Sequence, residues 1–166
     1  MDIAGSVDYN NITFVTLGLK PFLEDNDFLK IHIVGGVMMS TARPAPPKKK
    51  TLWMRIPTYP GQYRNNVIVN GSGRRQLQER EPEAFHLGRT EDATYPFYSV
   101  DFTLTKESKS GRVILCGSAT YGYGDETVVC FRLHGMTTEP VGKVEELQFG
   151  FKDREMWGRA TAFFVK

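Results

Sequence analysis

Positive charge is concentrated in one part of this chain. Between Arg43 and Arg80, nine lysine and arginine side chains stand against one acid, Glu79, so this segment carries +8 while the whole chain carries only +2. A surface of one sign attracts an extended anion, either nucleic acid or an anionic lipid leaflet. The sequence therefore predicts a phosphate-binding surface. Its residues are Arg43, Lys48, Lys49, Lys50, Arg55, Arg64, Arg74 and Arg75.

The first part of the basic segment has the composition of a stiff, exposed loop. Pro44, Pro46 and Pro47 precede the run Lys48–Lys50, and proline holds the chain extended and cannot donate to a β ladder. The alternative interpretation is a solvated loop that keeps the protein soluble. We favour phosphate binding, because a solubility surface usually mixes its signs.

Trp53 lies among these basic residues. The alternation of Leu52, Met54 and Ile56 predicts a strand in which Trp53 shares the outer face with Arg55. An indole there could stack on bases or anchor the protein at a membrane interface. The alternative is that it packs under a helix or at a subunit contact, because a large indole is rarely left in water.

One copy of the basic loop would bind weakly. Each Lys or Arg contributes about 1 kcal/mol at an anionic membrane, so the charges from Arg43 to Lys50 give roughly 4 kcal/mol, a dissociation constant of about 1 mM. Linked copies gain from a high effective concentration. The basic loop therefore predicts a homo-oligomer.

The sequence lacks the common catalytic and metal-binding motifs. Gly71-Ser72-Gly73 is not a phosphate loop, and no Gly-x-Ser-x-Gly occurs. The two cysteines and three histidines do not have the spacing of metal ligands. We predict a non-enzymatic protein that uses no metal, no cofactor and no small-molecule substrate.

Alternation with a period of two dominates the hydrophobic pattern. It is clearest at Leu29, Ile31 and Ile33 and at Leu52, Met54 and Ile56, and it predicts strands with one buried face. A turn is predicted over 106–111. Further strands are predicted over 12–19, 66–69, 97–104, 112–116 and 127–133, and residues 160–166 are predicted to form a short apolar strand or a packed tail.

The strands 112–116 and 127–133 should form a hairpin. A turn centred on Tyr123 pairs Cys116 with Cys130 and Leu115 with Phe131 on opposite faces. We interpret the cysteines as two buried thiols, because cytosolic disulfides are rare, with a disulfide or a reactive pair as the alternative.

One helix is predicted over 139–151. Thr138 could cap its start, and Val141, Val144 and Leu147 would share one face.

The pattern as a whole predicts a mainly β protein. A second, short helical turn is expected near 76–85. The architecture is then a β-sandwich or distorted barrel with one or two short helices, in a single domain of residues 1–166.

The sequence carries no sign of secretion or membrane insertion. There is no apolar run of about 18 residues, and the first residues lack the basic start and apolar stretch of a signal peptide. We predict cytoplasmic or nuclear residence in a protein that is neither secreted nor transmembrane.

Parts of the chain resemble the matrix proteins of bornaviruses and, equally, of nyamiviruses. One part is Phe28–Gly36, followed by the basic loop and a strand that ends in Ile56-Pro57. The other part is Tyr98–Leu104, then Val113–Leu115 and Val129–Leu133. Together they cover about half of the chain.

The resemblance implies a domain similar to the N-terminal half of filovirus matrix proteins. Such a domain is a β-sandwich with small helices that forms tetramers, lies at the inner membrane leaflet of the virion or host cell, and binds single-stranded RNA. The implied function is to join an anionic membrane to the viral ribonucleoprotein or nucleoprotein during assembly and budding. The longer loop over 42–50 and the residues after Phe151 depart from the bornavirus pattern and leave the preferred partner open.

Two other functions stay open from the sequence. Alternating strands could form a small β-barrel that binds an apolar ligand in its interior. The basic segment would also suit a host nucleic-acid-binding module.

Overall fold

Every regular element in the described part of the chain is a β-strand. A computed structural model describes residues 2–37, 50–70, 74–77, 83–90, 96–122, 128–151 and 154–165, with the backbone alone at 70 and 74–77. The strands are β1 (Asp2–Ile12), β2 (Phe14–Leu23), β3 (Phe28–Val37), β4 (Lys50–Arg55), β5 (Tyr63–Asn70), β6 (Arg74–Leu77), β7 (Phe85–Thr90), β8 (Phe97–Lys106), β9 (Val113–Gly122), β10 (Val128–Thr137), β11 (Val144–Phe151) and β12 (Met156–Val165).

The strands form two antiparallel sheets that pack face to face. The large sheet has the order β1-β12-β3-β8-β9-β10-β5-β6, and the small sheet has the order β2-β11-β4-β7. The two sheets do not close into a barrel. The prediction of a mainly β sandwich is therefore confirmed, and the barrel form of that prediction is wrong.

The core lies between the sheets. It is formed by the side chains on alternate strand positions that the sequence predicts to be buried. Leu29 and Ile33 on β3 are fully buried, as is Leu52 on β4. Buried aromatic rings fill the space between them, with Tyr121 and Phe131 in an edge-to-face contact at 5.3 Å between ring centroids. Burial of this set of side chains supplies the main stabilisation of a sandwich.

Two tyrosine hydroxyls meet inside this core. Tyr9 Oη of β1 lies 2.8 Å from Tyr98 Oη of β8, and Tyr98 Oη donates to Met156 Sδ at 3.6 Å. Burial raises the pKa of Tyr9 to about 12. Burial also raises the pKa of Tyr98, whose hydroxyl lies beside that of Tyr9. The hydroxyl pair links two strands that are separated by 89 residues in the sequence.

Most predicted strands are present, with different ends. The strands over 66–69, 97–104 and 160–166 lie within the longer β5, β8 and β12, although residue 166 is outside the described residues. The predicted strand over 12–19 is interrupted at Thr13, where the chain passes from the large sheet to the small one. The turn between β8 and β9 is confirmed, because the Gly111 N–H donates to the Glu107 carbonyl at 2.7 Å.

The helix predicted over 139–151 is wrong. Residues 144–151 form β11, and Thr138 does not cap a helix, because its N–H and its hydroxyl both donate to the Gln62 carbonyl. A β-bulge interrupts the pairing of β11 with β2 between Val144 and Glu146, where two steps along β11 lie opposite the five steps from Leu23 to Gly18, so the extra residues are on β2. The bulge leaves Val144 and Leu147 both buried, and this spacing of three imitates one face of a helix.

The helical turn predicted near 76–85 is also wrong within the described residues. Residues 76 and 77 belong to β6, and Phe85 begins β7. Residues 78–82 of this prediction lie outside the described residues.

The predicted hairpin forms in a different register. Cys130 pairs with Thr120, and Cys116 pairs with His134, so the two cysteines do not face each other. Cys116 is exposed, Cys130 is half-buried, and both are free thiols. The prediction of two buried, paired thiols is therefore wrong.

The core face of this hairpin is as expected. Leu115 and Phe131 are each 1% exposed.

Among the described residues, no helix is long and apolar enough to cross a membrane.

Candidate functional site

The structure describes three basic side chains of the predicted phosphate-binding surface and the side chain of their aromatic neighbour. These are Lys50, Trp53, Arg55 and Arg64. Arg43, Lys48 and Lys49 lie outside the described residues. Arg74 and Arg75 are described by their backbone in β6, at the edge of the large sheet.

The connection between β3 and β4, in which the run of three lysines leads into β4, links the large sheet to the small sheet. It leaves β3 at Val37, whose N–H donates to the Pro96 carbonyl at 2.9 Å, and it enters β4 at Lys50. Val37 pairs with Met156, and β11 ends at Phe151 beside the start of β4. Since Phe151 and Met156 are close in sequence, Val37 and Lys50 lie at the same end of the molecule.

Lys50 is fixed by its backbone at the start of β4. Its N–H donates to Thr90 Oγ1 of β7 at 3.1 Å, and Thr90 Oγ1 donates to the Lys50 carbonyl at 3.4 Å. The Lys50 side chain is half-buried. This anchor fixes the point at which the run of three lysines joins the small sheet.

Trp53 and Arg55 lie together on the outer face of the small sheet, as the sequence predicts. The Arg55 guanidinium carbon lies 5.2 Å from the centre of the Trp53 ring, a cation–π contact. Arg55 Nε donates to Gln148 Oε1 of β11 at 3.1 Å. Gln148 is a neighbour that the sequence reading missed, because β11 was expected to be a helix.

Arg55 keeps its charge available to a ligand. No acid of the described residues forms a salt bridge with it, and its terminal Nη groups donate to none of the described residues. A guanidinium of this kind can donate two parallel hydrogen bonds to a phosphate. The half-exposed Trp53 ring supports it from one side.

Arg64 lies on the opposite side of the molecule. On β5 the side chains of Tyr63 and Val67 face the core, so the alternation turns Arg64 outward from the large sheet, where it pairs with Met136. Arg55 points outward from the small sheet. Arg55 and Arg64, the two predicted arginines whose side chains are described, therefore lie on different faces and do not share one patch.

An open surface pocket of about 660 Å³ lies beside Arg55. Its wall is the turn after β4, which Tyr59 braces by donating to the Gln62 carbonyl at 2.9 Å. Glu83 also lines the pocket, so its charge is mixed. The pocket extends the surface around Arg55 without adding a second cation.

A polar row crosses the outer face of the large sheet, but its order does not suit nucleophilic catalysis. His32 Nδ1 and Asp101 Oδ1 are 2.6 Å apart, and Ser118 pairs with Asp101 from the next strand. A catalytic triad needs the histidine between the acid and the serine. Here the acid lies between the other two, and the pair is half-exposed.

The described side chains that could bind a metal ion are not close enough together to form a site. Among the residues that the structure describes, no three His, Cys, Asp or Glu side chains could together hold a metal ion.

Two aromatic residues on the outer face of the large sheet were not predicted as surface groups. Trp157 is 48% exposed, and Phe97 is 54% exposed. The alternation of β12 could have predicted that Trp157 is exposed, because the buried Met156 directly precedes it.

Comparison with known proteins gives no family for this chain. No protein-family description matches the sequence, and no curated protein matches it.

Proposed function

We propose that this chain is a non-enzymatic, matrix-type viral protein that self-assembles and joins an anionic membrane to a ribonucleoprotein. In this proposal the phosphate-binding residues are Arg43, Lys48, Lys49, Lys50 and Arg55. The membrane is the first partner, and single-stranded RNA or the viral nucleoprotein is the second.

The observation that carries the proposal is the position of Arg55 and Trp53 on the strand that the lysine run enters. From Lys50 to Arg55 the strand rises about 17 Å, with Trp53 between them. A surface that combines cations with a half-exposed indole suits the headgroup region of a membrane, where the ring is partly buried and the charges meet phosphates.

The architecture gives a second line of support. The resemblance implies a β-sandwich, and the described residues form one. The sandwich leaves its two outer faces on opposite sides, so one face can bind the membrane while the other binds a different partner.

The first test replaces Lys48, Lys49 and Lys50 together by Ala. Three cations at about 1 kcal/mol each correspond to a loss of binding of roughly 100-fold for each copy. Flotation with anionic vesicles should show the loss, with neutral vesicles as the baseline, and added salt should weaken the wild type in the same direction. Wild-type protein that ignores anionic vesicles at low salt would contradict the proposal.

A second test separates the two faces of the sandwich. Arg55→Gln should weaken vesicle binding about fivefold, the effect of one cation of about 1 kcal/mol at the surface. Arg64→Gln makes the same change in net charge on the opposite face and should leave vesicle binding near the wild-type value. Equal losses in both variants would show that only net charge matters.

The same proteins distinguish the other two functions. A host nucleic-acid-binding module would lose RNA binding in the triple variant while never floating with vesicles. An apolar-ligand protein would bind fluorescent fatty acids saturably and with little dependence on salt. The packed core between the sheets gives this last function little support.

A further inference from the structure

Exposed apolar side chains are concentrated on one face of the sandwich. Ten large apolar residues in the described part of the chain are notably exposed, and seven of them lie on the outer face of β12, β3, β8, β9 and β10. Exposed apolar side chains that are concentrated on one face often mark an interaction surface. Those seven are Phe28, Val34, Phe97, Ile114, Val128, Trp157 and Val165.

Six of these seven residues lie in two rows that run across the strands, and Val34 lies between the first row and the middle of the sheet. The first row, here the tryptophan row, contains Trp157, Gly36, Phe97, Gly122 and Val128 in register. It lies at the end of the sheet where β3 finishes.

The second row, here the phenylalanine row, lies at the other end of the same strands. It contains Val165, Phe28, Thr105, Ile114 and Met136 in register.

The rings of the tryptophan row lie flat on glycines. A Cβ on Gly36 would be 2.6 Å from atoms of the Trp157 ring, and one on Gly122 would be 2.2 Å from the Phe97 ring. Each ring therefore covers backbone with one side and offers the other to solvent. Rings held in this way lose little conformational freedom when a partner covers them.

A polar row lies midway between the two apolar rows and carries complementary charges. Asp101 on β8 and Arg132 on β10 flank Ser118 on β9 in register. They are two strands apart, about 10 Å, which is too far for them to pair within one molecule. No acid of the described residues forms a salt bridge with Arg132.

We infer that this face binds the same face of a second copy, around a two-fold axis parallel to β9. That rotation brings Asp101 of each copy opposite Arg132 of the other, so two ion pairs form at once. It also brings Phe97 of each copy opposite Val128 of the other and places Ile114 on β9 opposite Ile114, while Trp157 on β12 lies three strands from the axis. A self-complementary surface of this kind is what a two-fold dimer requires.

The size of the face is sufficient for a stable dimer. The five strands centred on β9, which are β3, β8, β9, β10 and β5, cover about 24 Å by 30 Å, or about 700 Å². Specific interfaces bury about 800 Å² on each partner. The inference rests on the proposed function, since it names the surface through which the copies assemble.

Sedimentation velocity over a range of protein concentrations tests the inference. Phe97→Asp should weaken dimerisation at least 30-fold, about the effect of losing one central aromatic contact. Phe14→Asp is the matched control, because Phe14 is 48% exposed on β2 of the small sheet. The control should dimerise like the wild type, and far-UV circular dichroism should be unchanged in both variants.

A charge swap tests the position of the axis. Asp101→Arg alone and Arg132→Asp alone should each weaken the dimer at least tenfold, about the effect of like charges placed face to face. The double variant restores opposite charges across the axis and should recover most of the affinity. Failure of the double variant to recover would overturn this arrangement of the two copies.

Other outcomes are equally decisive. A wild type that is monomeric at every concentration, or a dimer broken by Phe14→Asp but not by Phe97→Asp, would overturn the inference. Loss of vesicle or RNA binding in Phe97→Asp without any wild-type dimer would assign the face to that ligand. Dimers that form as described but never float with vesicles would overturn the proposed function and leave this inference standing.

Discussion

Gly158→Ala should destabilise the protein by about 4 kcal/mol, because it combines overpacking with an unfavourable backbone conformation. Gly158 has φ +150°, and a Cβ there would lie 2.0 Å from the Val34 carbonyl oxygen and 2.8 Å from Tyr9 Oη. The nearest of these atoms belongs to the backbone of β3, so a simple rotamer change cannot remove the clash. A loss of this size is a large part of the roughly 5–15 kcal/mol that stabilises a typical domain.

Gly18→Ala is the matched control. A Cβ on Gly18 would meet no atom within 4 Å. Replacing glycine by alanine at a compatible position stabilises a protein by up to about 1 kcal/mol, since the unfolded chain loses freedom. Urea unfolding followed by circular dichroism should separate the two variants widely. If both unfolded at the wild-type midpoint, the close approach of β3 and β12 would be wrong.

Alkaline pH should unfold the protein through its buried tyrosines. Burial raises the pKa of Tyr9 and that of Tyr63 from 10.0 to about 12, and it raises the pKa of Tyr98 in the same direction. Above pH 10 the unfolded chain releases these protons while the folded protein keeps them. The free energy of unfolding therefore falls as the pH rises from 10 towards 12.

The expected effect is large. A shift of about two pKa units is worth about 2.7 kcal/mol, so Tyr9 and Tyr63 together contribute about 5 kcal/mol that is lost in this interval, before Tyr98 is added. Circular dichroism and phenolate absorbance should change together in one cooperative step. Phenolates that ionise near pH 10 in a protein with unchanged circular dichroism would contradict the prediction.

Tyr9→Phe checks the origin of the alkaline transition. This variant removes one of the three titrating groups, so unfolding should release one proton fewer and the transition should be less steep. It should also lower stability at neutral pH, because the buried Tyr98 hydroxyl loses the Tyr9 hydroxyl as a partner.

Alternation with a period of two was a reliable guide wherever the strand was regular. On β3 and β4 each residue predicted to be buried is buried, because regular pairing fixes which face every side chain takes. On β11 the same reasoning failed. The alternation is interrupted at the irregular pairing with β2, since Val144 and Leu147 are both buried, and the sequence of β11 alone carries no sign of this irregularity.

The hairpin register shows a different limit. The predicted pairing of Cys116 with Cys130 differs from the observed pairing of Thr120 with Cys130 by four residues. An even shift leaves every side chain on its original face. The predicted pairing of Leu115 with Phe131 is therefore wrong, because Leu115 pairs with Gly135 and Phe131 with Ala119, although both side chains face the core as predicted.

The candidate site was predictable only in part. The contact between Trp53 and Arg55 follows from their spacing on one strand. The separation of Arg55 from Arg64 depends on which sheet each strand joins, and pairing between distant strands is not encoded in local alternation. The outer face of the large sheet was missed because its apolar residues are distant in sequence and meet only through the register of five strands.

The position of β12 has a consequence for how this protein is made. It pairs between β1 and β3, which are synthesised long before it. Until the ribosome has released residues 156–165, β1 and β3 each present an unpaired edge to the cell, and such edges are prone to join other chains. Contacts between distant residues also slow folding. We therefore expect the nascent chain to depend on chaperones, and two chains at high local concentration to exchange their β12 strands.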